Sequence, residues 1–149
     1  MAWQILVVAC VPMGEAAVHT TRAYATPNAI QLRVSLDDIS PLVWRRLLLP
    51  LHVNLRELHL ILQAAFGWMD THLHEFEIGG LRYGDAKRAN AENAIGDART
   101  FEERDVMLCD FTREPGTSFK YMYDFGDNWI HTVRLEKRVA LDLPPKVAT

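Results

Sequence analysis

Between residues 121 and 131 the chain sets Asp124, Asp127, Asn128, Trp129 and His131 among three alternating aromatics, Tyr121, Tyr123 and Phe125. Two carboxylates, an amide, an indole and an imidazole within eight residues can hydrogen-bond a ligand, stack on it or hold a cation. The alternation predicts a β-hairpin with strands at 118–125 and 129–138. A turn centred on Asp127 places Tyr123 opposite His131, Tyr121 opposite Val133 and Phe119 opposite Leu135, a register that burial of one face would enforce. The mouth then forms a polar pocket rimmed by Trp129. A blander reading competes with it. Asp127 and Asn128 tolerate turn conformations, Gly126 supplies a positive φ, and Asp124 simply pairs with His131. The tripeptide Asp124-Phe125-Gly126 matches a magnesium-binding motif of kinases, but no glycine-rich loop, strand lysine or catalytic-loop motif accompanies it.

Histidine offers a second chemistry. Five of the six histidines lie between residues 52 and 131. His72 and His74 stand two apart on a predicted strand and so share a face. With His131 and Asp124 they form a candidate set for a divalent metal, since imidazole and carboxylate suit zinc, iron or manganese. HExxH and CxxC spacings are absent, and no other cofactor is expected. The bland alternative places His72 and His74 beside a helix C-terminus, whose dipole favours cations. Trp44, Arg45 and Arg46 make a third group, fit for stacking or for clamping a carboxylate, or for an ordinary sheet arginine paired with an acid. Trp68 adds an indole nearby. Arg56, Glu57 and His59 read as a solvent-exposed helical face. Ser35, Ser40 and Ser118 stand in no GxSxG elbow, which argues against hydrolysis of that kind.

Composition bounds these options. The chain has 149 residues, 49% hydrophobic and 23% charged, with net charge −3. One domain is expected. The slight acidity does not fit generic binding to nucleic-acid backbone, which wants a basic stripe. Cys10 and Cys109 read as two free thiols suited to a reducing cytoplasm. The apolar run Ile5 to Val11 is too short to cross a bilayer. Residues 1–28 read as an N-terminal extension, an extra strand or a signal peptide, and no membrane span follows.

The elements that would position these groups are legible from periodicity. Ile30, Leu32, Val34 and Leu36 alternate with polar residues as in a strand with one buried face. Val43 to Leu49 is a second strand, apolar on both faces and expected inside the sheet. A helix is expected at 54–66, with Asn54 as N-cap, Glu57 closing a capping box and Gly67 as C-cap glycine. Leu73 to Ile78, a Gly79-Gly80 turn and Leu81 to Tyr83 make a hairpin. Residues 84–100 read as a surface loop with room for one helical turn, and Val106 to Phe111 as a short apolar element of open type. The expected fold is α+β, a largely antiparallel sheet of hairpins with one main helix on one face. It occupies residues 29–140 as a single domain, with an irregular tail at 141–149.

Several stretches together resemble a known family. They are Ile39-Ser40-Pro41-Leu42-Val43-Trp44-Arg45-Arg46, the pair Leu58-His59, the run Phe66-Gly67-Trp68, then His72-Leu73-His74 with Phe76, Ile78 and Gly79, and finally residues 121–131 with Leu135-Glu136. The chain resembles the plasmid pRiA4b ORF-three family, also described as TnpR-like passenger proteins of insertion elements, over roughly residues 29–138. The resemblance implies a small α+β protein of bacteria, archaea and mobile elements without an assigned biochemical role. Relatives continue into a Cys- and Pro-rich segment, so a site completed by that segment would be incomplete here. The TnpR label implies recombination, yet no nucleophilic serine with an arginine cluster can be picked out. The favoured expectation is a non-enzymatic binding or interaction module for a protein or peptide partner, using the Asp124–His131 mouth with Trp44, Arg46 and Trp68. The alternatives are a metal-dependent hydrolytic enzyme and a DNA-associated accessory factor of a transposable element.

Overall fold

The computed structural model describes residues 26–92 and 99–146. Expectations for the Ile5–Val11 run and for Cys10 lie outside the described residues. The elements are β1 (Ala29–Leu36), β2 (Val43–Pro50), α1 (Leu55–Phe66), β3 (His74–Ile78), β4 (Leu81–Gly84), α2 (Ala86–Glu92), β5 (Thr100–Glu102), α3 (Leu108–Phe111), β6 (Ser118–Tyr123) and β7 (Trp129–Val139). A single 3-10 turn, Glu103–Asp105, follows β5. The strands form one seven-stranded sheet in the order β2-β1-β7-β6-β3-β4-β5. Every neighbouring pair is antiparallel except β4 and β5. The fold is α+β, as expected. Among the described residues no helix is long and apolar enough to cross a membrane.

Local chemistry explains the frame. In β1, Ile30, Leu32, Val34 and Leu36 are buried while Gln31, Arg33 and Ser35 are half-buried, the period-two signature of a sheet covered on one side. Helix α1 starts where Asn54 Oδ1 accepts the Glu57 N–H at 2.8 Å and Glu57 Oε2 accepts the Asn54 N–H at 2.9 Å. It stops at Gly67, whose φ of 74° is the left-handed conformation that glycine adopts without penalty. Leu55, Leu58, Ile61 and Leu62 of α1 join Leu32, Leu47, Phe76, Tyr121 and Val133 of the sheet in one buried cluster. Asn28 ties the two ends of the described chain together. Its Nδ2–H donates to Leu141 O at 2.8 Å and its Oδ1 accepts the Leu141 N–H at 2.9 Å.

Four expectations need correction. First, β2 is an edge strand, not an internal one. Its second face carries Trp44, whose ring centroid lies 4.6 and 5.4 Å from the Arg33 and Arg46 guanidinium carbons. Second, the loop at 84–100 contains α2, begun by Asp85, whose Oδ1 accepts the Arg88 N–H at 3.2 Å; residues 93–98 lie outside the described residues. Third, β3 begins at His74, which leaves His72 off the strand. Fourth, the β6–β7 register is Tyr123 to Trp129, Tyr121 to His131 and Phe119 to Val133. The turn centres on Gly126, one residue before the expected Asp127, so each pairing is slipped by two. A two-residue slip leaves every side chain on its face, so the buried pattern alone could not tell the two registers apart. The turn itself decides: Asp124 and Asn128 take positive φ of 60° and 55°, and the Asn128 N–H donates to Asp124 O at 2.6 Å. The positive φ expected of Gly126 therefore falls on its neighbours.

The remaining apolar element, Val106 to Phe111, closes the frame below α1. Leu108 is fully buried, and its N–H donates to Val53 O at 2.8 Å, while Leu55 N–H donates to Val106 O at 3.1 Å.

Candidate functional site

The period that places Leu55, Leu58 and Leu62 on the inner face of α1 also turns His59 and Gln63 inward. His59 is 0% exposed. A buried imidazole needs partners for both ring nitrogens. Tyr121 on β6 supplies one, with its Oη 2.8 Å from His59 Nδ1. Asp70, in the loop after α1, supplies the other, with Oδ1 2.8 Å from Nε2. The chain of donors follows from this geometry. Burial, with the charge of His74 next, depresses the His59 pKa to about 4, so the ring is neutral. An ionised carboxylate only accepts, so Nε2 carries the proton and donates to Asp70. Nδ1 then accepts from the Tyr121 hydroxyl, and that hydroxyl accepts the Gln63 Nε2–H at 2.9 Å. Gln63 Oε1 in turn accepts the Asp70 N–H at 2.7 Å. Burial pushes Asp70 up, but its bond to His59 and the Arg56 charge outweigh that and hold it below the usual carboxylate range. Burial also raises the Tyr121 phenol well above its ordinary value.

A second imidazole lies on the first. His74, the first residue of β3, stacks on His59 with ring centroids 3.5 Å apart and planes 13° apart. Its Nε2 stands 2.6 Å from Glu103 Oε2, and the two side chains are 5% and 2% exposed. Arg56 bridges the carboxylates, 3.1 Å from Asp70 Oδ2 and 3.7 Å from Glu103 Oε1. Two carboxylates thus face one guanidinium around two stacked imidazoles. Arg56, Asp70, His74 and Glu103 of this cluster line a cleft of about 440 Å³ between the 70–75 segment, α2 and residues 100–105, and His59 lies buried behind them. Lys87, Arg88 and Arg104 bring positive charge to its walls, Glu102 and Asp105 negative charge, and Phe125 an exposed ring.

The residues singled out from sequence fall into three places. Trp44 and Arg46 sit on the face of the sheet away from α1. There Arg46 grips Glu136 bidentately, Nε to Oε2 at 2.7 Å and Nη2 to Oε1 at 2.9 Å, and this bond is the chief reason the Glu136 carboxyl lies below its ordinary value. Trp68, Trp129 and His131 gather under the C-terminal end of α1. Trp68 lies 5.4 Å from Trp129 and 6.5 Å from His131 between ring centroids. Trp129 is half-buried and packs against the core. Asp127 and Asn128 are exposed in the turn, where Asp124 Oδ1 accepts the Gly126 and Asp127 N–H groups at 3.0 and 3.4 Å.

The expected metal set of His72, His74, His131 and Asp124 does not converge. His74 and His131 lie on strands separated by β6. His131 is fully buried and directs Nδ1 at the Tyr121 and Trp129 carbonyls, at 3.3 and 3.0 Å, instead of pairing with Asp124. Burial lowers its pKa. His72 is exposed and lies 3.6 Å from Asp124 at the rim. Among the described residues, the His, Cys, Asp and Glu side chains that gather within metal-ligand reach are His59, Asp70 and His74. His59 was expected on the solvent face; its spacing of four from Leu55 and three from Leu62, both buried, is the signal that could have placed it inside. Asp70 and Glu103 left no comparable trace, because each enters from a loop or a turn.

Comparison with known proteins follows the same outline. The family model described as "Plasmid pRiA4b ORF-3-like protein" matches residues 28–148. An uncharacterized protein of Sinorhizobium fredii, y4hQ, is 38% identical over 111 residues, which is 74% of this chain and 54% of that protein. The chain therefore spans about half the length of that curated relative. A crystal structure of a protein of unknown function from Methanosarcina mazei Go1 is 32% identical, with a TM-score of 0.61, over 78% of this chain and 66% of that one.

Proposed function

The chain belongs to the plasmid pRiA4b ORF-3-like family, and from that premise we propose that it is a binding module whose cleft, floored by Arg56, Asp70, His74 and Glu103, takes a charged segment of a protein or peptide partner. The observation that carries this reading is the pre-ordered floor. Arg56, Asp70, His74 and Glu103 are held by one another before any ligand arrives, so little ordering cost remains for binding. Burying the His74 and Glu103 side chains costs stability that an apolar cluster would not, which favours a role beyond packing. The cleft volume lies within the range of ligand sites, ~300–1,000 Å³. Its walls carry both signs of charge, Lys87, Arg88 and Arg104 with Glu102 and Asp105, which fits a mixed-charge polypeptide better than a polyanion. That mixture weighs against the DNA-associated alternative. The exposed Phe125 ring at the rim supplies an apolar anchor.

Fluorescence anisotropy with labelled oligolysine, oligoglutamate, alternating Lys-Glu and Gly-Ser peptides, all in chelator, tests the proposal. Saturable binding of the alternating peptide is expected, weakened by the paired reversal Arg104→Glu and Asp105→Lys. Absence of binding by every peptide, or indifference to that reversal, would refute it.

A further inference from the structure

We infer that His59, Asp70 and His74 are the donor set for one divalent first-row transition-metal ion, with its open coordination positions facing the cleft. One ligand atom from each residue lies within 4.8 Å of the other two. Donors around a tetrahedral ion at ~2.1 Å stand about 3.4 Å apart, so displacements on the order of 1 Å bring the three to coordination distance. Two imidazoles and a carboxylate, with positions left for water, is the donor chemistry of zinc and iron sites that bind or activate a small ligand.

Both imidazoles also have the outer partners that metal-ligating histidines need to fix their orientation. His59 Nδ1 is held by the Tyr121 hydroxyl, which leaves Nε2 toward Asp70. His74 Nε2 is held by Glu103, which leaves Nδ1. One feature of the stack sets how the site loads. A metal ion lies in the plane of every imidazole that binds it, and planes 3.5 Å apart and 13° from parallel do not meet at bonding distance. One ring must turn. His59 is enclosed, whereas His74 lines the cleft, so His74 is the ring that turns. Metal binding therefore replaces the ring stack.

The test uses the full chain, free of affinity tags and stripped with chelator, titrated with Zn²⁺ by calorimetry and with Co²⁺ by visible absorption. One equivalent should bind, with the cobalt bands of a nitrogen- and oxygen-ligated ion. Asp70→Asn and His74→Gln should each weaken binding at least about ten-fold, and Glu103→Gln by roughly ten- to a hundred-fold through the outer partner. Asp127→Asn, exposed in the turn and outside the donor set, should leave binding unchanged. Far-UV circular dichroism confirms that each variant is folded. No bound equivalent, or binding that survives both Asp70→Asn and His74→Gln, would overturn the inference. Because the peptide titrations are run in chelator, this inference and the proposed function fail separately.

Discussion

Tyr121→Phe isolates the polar chain beneath α1 from its packing. Phenylalanine keeps the ring, which sits among Phe76, His74 and His131, and removes one oxygen, so almost no cavity opens. The lost hydroxyl leaves two buried groups without partners: His59 Nδ1, which accepted from it, and Gln63 Nε2, which donated to it. An unsatisfied buried polar group costs ~1–3 kcal/mol, so the expected loss is about 2–4 kcal/mol. Against a typical total of ~5–15 kcal/mol, that is a large share. In urea, with a slope of ~1–3 kcal/mol/M, the midpoint should fall by about 1–2 M at unchanged slope. Pairing it with Gln63→Met in a double-mutant cycle should return a coupling of ~0.5–3 kcal/mol. A loss below about 1 kcal/mol, or a coupling of zero, would mean that the hydroxyl does not join His59 to Gln63 as described.

Three further outcomes are expected. Because the His59 pKa is depressed in the folded state, protonation favours unfolding; stability should be full above the unfolded value near 6.5 and fall as pH drops toward about 4, by up to about 3 kcal/mol, and a flat profile of unfolding free energy between pH 7 and 4 would contradict this. Glu103→Ala leaves the buried His74 side chain and the half-buried Arg56 without their shared acid and should cost roughly 3–5 kcal/mol in chemical denaturation, whereas a neutral result would show that the His74–Glu103 pair contributes no net stability. Gly67→Ala forces a side chain into φ 74° with open space around it, so it should cost about 1 kcal/mol by backbone strain alone, read as a small drop in Tm without change in the circular dichroism spectrum.

Much of the frame was written in local signals. The capping box of Asn54 and Glu57 and the glycine at 67 set both ends of α1, and each is a contact between residues three or four apart. The β1 alternation did the same for the buried face of the sheet. What escaped reading is what depends on distant partners. The edge position of β2 was hidden because Trp44 gains its cover from Arg33 of the neighbouring strand, not from a second layer. The hairpin register was hidden because a slip of two preserves the faces, and only the hydrogen bond from Asn128 to Asp124 chooses. The site was not read. His59 was expected on the solvent face of α1, although it and Gln63 are buried on the inner stripe. Asp70 and Glu103 lie in a loop and a single turn, where no periodicity says which way a side chain points. His131 looked like a partner for Asp124 along the chain, yet neighbouring backbone carbonyls satisfy its Nδ1 first.

The most direct measurement is amide chemical-shift mapping of the isotope-labelled chain as the alternating Lys-Glu peptide is added in chelator. Perturbations concentrated at residues 70–75, 87–88 and 102–105 and at Phe125 are expected, with smaller shifts spreading into the Asp127–Asn128 turn and the Trp44–Arg46 face undisturbed. Shifts confined to that turn or to that face, or none at saturating peptide, would contradict the assignment of the cleft as the binding site.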